Sequence, residues 1–151
     1  MKMARTFQGR HVGLALVMGL LTAPVPGARP AVAQASLDQV IASAQAAWLA
    51  HDVSDLVSGS DTVRLRLPGI APSASLKPGQ AARLLEQYLK PTKELSFGES
   101  GRRELASDHV YAEMQRIYVV KGTDEERSET VLLGFRRIDG RWVLREVRVT
   151  P

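Results

Sequence analysis

The apolar residues of this chain change period from helical to two and back before settling at two, so helices come early and a sheet closes the fold. From Ser36 the pattern is helical: Leu37, Val40, Ile41, Ala44, Ala47 and Trp48 share one face. Ser36 with Gln39 makes a capping box, in which each side chain satisfies a free amide of the helix start, and the helix is expected to run to about Ala50. Asp52 and Asp55 predict a second, very short helix through Val53, Leu56 and Val57, which Gly59 is expected to end in the left-handed conformation. At Thr62 the period becomes two: Val63, Leu65 and Leu67 alternate with Arg64 and Arg66, as a strand with one buried face requires.

Pro68-Gly69 ends that strand, and a Pro-, Ser- and Ala-rich loop leads to Pro78 in the first turn of a third helix. Its apolar stripe is Ala81, Leu84, Leu85, Tyr88 and Leu89, and Pro91 stops it. Four antiparallel strands are predicted after it, over Glu94–Leu105, His109–Lys121, Ser128–Ile138 and Arg141–Thr150. Asp139-Gly140 is a two-residue hairpin signal, because both residues tolerate positive φ.

Residues 1–35 read as an export signal. Lys2, Arg5 and Arg10 precede an apolar run from Val12 to Leu21, and Ala33-Gln34-Ala35 is a small-x-small cleavage site before Ser36. The run is about ten residues against the roughly 20 of a membrane-spanning helix, so no stable membrane insertion is expected after cleavage. Residues 36–151 are then expected to form one domain in the periplasm or outside the cell.

The chain carries a formal charge of +4, but its surplus lies in the leader: Lys2, Arg5, Arg10 and Arg29 have no acid beside them. The remainder is balanced at 16 of each sign. Phosphate binding needs a clustered cationic excess, so a nucleic-acid partner is not expected. No cysteine is present, which excludes disulfides and thiolate chemistry. With His51 and His109 the only histidines after the leader and no acid-rich calcium loop, neither a metal site nor a cofactor is expected.

The order of these pieces resembles the nuclear transport factor two-like superfamily, a cone-shaped α+β fold that includes ketosteroid isomerase and scytalone dehydratase. Within it the chain is similar to small exported bacterial domains of unknown function. The resemblance is carried by Asp52-x-x-x-Leu56, Val63–Leu67 with Pro68-Gly69, Gln80-Ala81, Leu95-Ser96-Phe97, Val110-Tyr111-Ala112 and Asp139-Gly140-Arg141-Trp142-Val143-Leu144. His51 departs from it, standing where such domains often have Gly. The resemblance implies a curved antiparallel sheet wrapped around the N-terminal helices, a conical interior that is an active site, a ligand pocket or simply core, and pairing through the outer sheet face. Arginines on the outside of the alternating strands argue against a large, dry interface, so a weak homodimer or a monomer is expected.

The strand from His109 places Val110, Ala112, Met114, Arg116, Tyr118 and Val120 on its more apolar side, which is assigned to the cone. Arg116 then points inward, where a guanidinium must find carboxylates, carbonyls, water or an anionic ligand. Glu146 is the candidate partner; the alternative is that Arg116 snorkels to the rim or a bulge turns it outward. Arg116, Tyr118 and Glu146, with Trp48 and Trp142, are the candidate ligand-binding residues for a small polar or acidic ligand. No catalytic set emerges. Glu113, Asp55, Tyr111 and His109 are the right types for isomerase or dehydratase chemistry, but three of them share the less apolar strand face. His51 reads as a helix-end residue. Arg64, Arg66, Arg136, Arg137, Arg141, Arg145 and Arg148 fit either a basic stripe for an acidic partner or an ordinary solvated sheet face balanced by acids such as Glu94, Glu99, Glu104 and Glu129. The function expected is a non-catalytic module for a small ligand or an envelope protein; a cavity enzyme and a purely structural envelope domain are the alternatives.

Overall fold

The computed structural model describes residues 34–151, so the expected export leader, residues 1–35, lies outside the described residues except for Gln34 and Ala35. The elements are α1 (Leu37–Leu49), α2 (Val53–Ser58), β1 (Arg64–Arg66), α3 (Pro78–Leu89), β2 (Thr92–Ala106), β3 (His109–Val120), β4 (Glu126–Ile138) and β5 (Arg141–Thr150). The α+β architecture is the expected one, a curved, unclosed sheet with helices against it. Its strand order is β1-β5-β4-β3-β2. The four long strands form the predicted antiparallel meander, while β1 joins the edge parallel to β5, pairing Leu65 with Val147. The sheet is therefore mixed.

Local chemistry explains the helix ends. Ser36 Oγ accepts from the Gln39 amide and Gln39 Oε1 accepts from the Ser36 amide, so the predicted capping box forms. At the other end of α1 the His51 amide donates to Trp48 O and the Asp52 amide to Ala47 O, a Schellman closure that puts His51 at φ 56°. Asp52 caps α2 through the Asp55 amide. Gly59 differs from expectation: its φ of −78° is right-handed, because α2 ends there in an ordinary turn closed onto Val57 O.

The core is one cluster. Ile41, Ala44, Ala47 and Trp48 of α1, Ala81, Leu85 and Leu89 of α3, and Val63, Leu65 and Leu67 around β1 meet the inward residues of β3 to β5. Val131, Leu133 and Phe135 are inaccessible to solvent, as their alternation predicts. The hairpin at Asp139-Gly140 has φ of 49° and 78°, as a type I′ turn requires.

Bulges decide which way side chains face. The β2–β3 register shifts between Glu94 and Ser96, Glu99 and Gly101, and Glu104 and Ala106, and the β4–β5 register shifts between Gly134 and Phe135. Each shift adds one residue on one strand, which bends the sheet and reverses the facing of everything beyond it.

Candidate functional site

Arg116 sits inside the cone with no solvent exposure, so it neither snorkels to the rim nor is turned outward by a bulge. All five of its N–H groups find acceptors within the chain. Nε donates to Glu94 Oε2 at 2.9 Å and Nη2 to Glu94 Oε1 at 2.6 Å and Thr92 Oγ1 at 2.8 Å. Nη1 donates to Glu129 Oε2 at 2.7 Å and Tyr88 Oη at 3.0 Å. The guanidinium also lies 3.9 Å from the Tyr118 ring centre, with Tyr88 and Trp48 at 5.2 and 5.6 Å, an arrangement that favours a planar cation.

The carboxylates are as fully engaged. Trp48 Nε1 donates to Glu94 Oε2 at 3.3 Å and Thr92 Oγ1 lies 3.0 Å from Glu94 Oε1. Tyr88 and Tyr118 hydroxyls donate to the two oxygens of Glu129 at 2.6 and 3.0 Å. His51 Nε2 approaches Glu94 Oε1 at 3.5 Å. Burial alone would raise the Glu94 carboxyl, but the hydrogen bonds and charge of Arg116, with Thr92 and Trp48, hold it below the usual carboxylate range. Burial would lower the Arg116 pKa, and Glu94 and Glu129 outweigh that and raise it. Burial and the bonds to Glu129 push the Tyr88 and Tyr118 phenols up. The cluster is a charge network in which every donor of the guanidinium and both oxygens of each carboxylate have a partner.

The expected partner of Arg116 is corrected by this geometry. Glu146 lies on the opposite side of the sheet, because the β5 bulge at Arg145 puts Leu144 and Val147 inward and turns Glu146 outward. There Glu146 accepts from Tyr111 Oη at 2.7 Å and Arg148 Nη2 at 2.9 Å. Burial raises its carboxyl, and Tyr111, Arg148 and the nearby charge of Arg64 bring it below the usual range. Trp142 is also elsewhere, lining a cleft of about 290 Å³ with Gln39, Val40 and Leu56. Of the five candidate residues, Arg116, Tyr118 and Trp48 come together.

Glu94 and Glu129, expected among the acids of a solvated face, are the residues that sequence reasoning missed. Glu129 was legible: it shares parity with Val131, Leu133 and Phe135, and its register partner is Arg116. Glu94 was not, since it stands three residues from inward Phe97 and faces inward only because of the bulge at Leu95. His51 is joined to the cluster by the left-handed turn after α1.

Inside the cone little space remains. Trp48 stacks on Phe97 with ring centres 4.7 Å apart and planes within 6°, and both are buried. The cluster is reached from outside by a cleft of about 330 Å³ over Tyr88, Thr92, Tyr118 and Glu129, rimmed by Pro68, Pro91 and Arg127. Tyr111, Glu113 and His109 lie on the outer sheet face and Asp55 is an exposed residue of the first turn of α2, so none of these four candidates for catalysis reaches the cone.

On that outer face Gly134 forms a floor under Tyr111. A Cβ at position 134 would stand 2.8 Å from Tyr111 Cε1 and 3.1 Å from Glu146 Cβ. Gly134→Ala is expected to lower stability by about 1–3 kcal/mol in urea unfolding, through displacement of the ring. In a Tyr111→Ala background the same change should cost much less; an equal cost in both backgrounds would locate the strain elsewhere.

No protein-family profile and no curated protein matches the chain. Solved structures do resemble it. A DUF4783 family protein from Bacteroides uniformis has a TM-score of 0.58 at 13% identity, over 72% of this chain and 93% of that one. A putative calcium/calmodulin-dependent protein kinase type II association domain from Thiobacillus denitrificans reaches 0.62 at 14% identity, over 78% and 96%. A protein of ketosteroid isomerase-like fold from Catenulispora acidiphila, solved with trimethylamine, scores 0.59 at 13% identity, over 77% and 87%. At these identities the likeness is one of backbone architecture. The chain has the cone-shaped α+β fold of the nuclear transport factor two-like superfamily.

Proposed function

We propose that the chain is an exported, non-catalytic interaction module that engages a protein partner of the cell envelope through its outer surface. One observation carries this reading: the interior that houses a ligand or a catalytic base in a cavity protein is filled here with packed side chains, and all five donors of its buried guanidinium are taken by acceptors of the chain itself. Cavity catalysis calls for a carboxylate poised near neutrality; Glu94 is displaced in the other direction. An acidic ligand gains nothing from Arg116, whose donors are already taken.

The cleft over Tyr118 and Glu129 favours a second reading, a small polar ligand seated at the cone mouth. Tryptophan emission separates the two. The chain has two tryptophans, so Trp142→Phe leaves Trp48 as the reporter beneath the cluster. Under the module reading, Trp48 emission stays unchanged across a panel of small amines, polyols and carboxylates, and the Tm does not move. A saturable emission change with a Tm rise of roughly 5 °C or more, abolished by Tyr118→Phe, would instead establish the cleft as a ligand site. Export is checked by fractionation and N-terminal sequencing: the expected product begins at Ser36 outside the cytoplasm, and an uncleaved cytoplasmic chain would remove that half of the proposal.

A further inference from the structure

The outer face of the sheet carries two depressions that share Tyr111 as their common wall. One, of about 320 Å³, is lined by Arg64, Arg136, Arg145, His109 and Glu146 around the floor at Gly134. The other, of about 480 Å³, is lined by Arg103, Arg148, Leu105, Leu132 and Glu113. Together they make a trough across the strands, basic at one end and mixed apolar and basic at the other. Both depend on Gly134, since a side chain there would displace Tyr111.

The charges in this trough do not cancel. Glu146 is already bound by Tyr111 and Arg148 and has Arg66 at 3.8 Å, and its side chain is only 8% exposed. Arg136 has one distant acid, Asp108, at 3.8 Å. Arg64 and Arg145 make no side-chain hydrogen bond or ion pair among the described residues, and their only carboxylate neighbour in the pocket is the occupied Glu146. In a chain balanced overall outside its leader, this face holds a local cationic excess. Beside it Leu105 is 55% exposed, an aliphatic side chain with no core to join.

We infer that this trough binds an extended acidic segment of a protein partner, with carboxylates on Arg64, Arg136 and Arg145 and an apolar side chain against Leu105 and Leu132. This rests on the module reading and names its surface and the chemistry of its partner. Guanidiniums on a concave floor suit carboxylates by paired N–H donation. The adjoining leucines distinguish a peptide from a bare anion, which has nothing to place on them. A second copy of this chain fits poorly, because face-to-face pairing would set arginine against arginine.

The test uses fluorescence anisotropy with a labelled peptide of alternating Glu and Leu and a matched peptide of alternating Gln and Leu. The Glu peptide is expected to bind, with an affinity that falls as salt rises. Arg64→Ala with Arg145→Ala should weaken it by roughly tenfold or more, and Leu105→Ser by several-fold, with Tm little changed. The two arginines make no side-chain hydrogen bond or ion pair among the described residues, Arg64 acts on Glu146 only through its charge, and Leu105 is more than half exposed. Equal binding of the Gln peptide, an equal affinity in the arginine variant, or no binding of the Glu peptide would each overturn the proposal. Displacement of the Glu peptide by inorganic phosphate at matched concentration would assign the arginines to a small anion. Arginine-dependent attachment to phosphatidylglycerol vesicles without peptide binding would assign them to a lipid surface, and a dimer lost in Leu105→Ser without peptide binding would assign the face to self-association. Those three results also overturn it. None of these substitutions touches Trp48, so failure here and failure of the module reading are seen in different signals.

Discussion

Arg116→Met is expected to destabilise the fold by about 3–5 kcal/mol, because it strands the enclosed Glu94 carboxylate and the partly buried Glu129, which now share one guanidinium. For a domain of this size that corresponds to a fall in Tm of well over about 10 °C. Arg116→Lys should recover only part of the loss: one ammonium cannot reproduce five N–H donors in the plane that meets Glu94, Glu129, Thr92 and Tyr88 together. The sign of the pH dependence is the sharper test. In the wild type the Glu94 carboxyl lies below its unfolded value. Its contribution is therefore complete above the unfolded carboxylate pKa and is lost as pH falls through the lower folded value. Without Arg116, burial, the largest single influence on Glu94, is opposed only by Thr92 and Trp48, so the folded value rises and protonation relieves the folded state. Urea midpoints should then fall from pH 7 to pH 4 in the wild type and rise over the same range in Arg116→Met. Parallel profiles in the two proteins would mean that Arg116 does not govern this carboxylate.

Trp48→Ala should cost about 3–5 kcal/mol, the range for truncating a large buried aromatic. Three losses combine: the indole volume at a fully enclosed site, the stack on Phe97, and the Nε1 donor to Glu94. Trp48→Phe separates them, since it keeps most of the volume and a ring to stack while removing the donor. That variant should cost about 1–3 kcal/mol, with a smaller acid loss of stability that is complete at higher pH, because Glu94 has lost one of the bonds that lower its folded pKa while its unfolded value is unchanged. If Trp48→Phe proves as damaging as Trp48→Ala, the polar bond outweighs packing at this site. If Trp48→Ala is nearly neutral, the cone interior is not closed by this side chain, and the argument against an internal ligand loses its main support.

Much of the architecture was legible because its signals are local. Ser36 and Gln39 cap one helix across three residues, Pro91 stops another, and Asp139-Gly140 shapes a hairpin, each without help from distant parts of the chain. Alternation within β3 placed Arg116 inside correctly, since that strand carries no bulge against β4. The parallel addition of β1 to β5 was not legible: nothing in Val63–Leu67 states which edge it joins or in which direction, as these follow from where α3 lets the chain return to the sheet.

The composition of the charge cluster divides along the same physical line. Side-chain facing in a strand obeys a two-residue rule that needs only neighbours, so the inward guanidinium and its need for counter-charges follow from the order of amino acids alone. Which acids answer that need depends on bulges, and a bulge is settled by the curvature the whole sheet must take to cover its helices. The extra residue at Leu95 brings Glu94 in, and the one at Arg145 sends Glu146 out to Tyr111 and Arg148. A displacement of one residue reverses the facing of everything beyond it, and the pairing of strands far apart in the chain selects where that displacement falls.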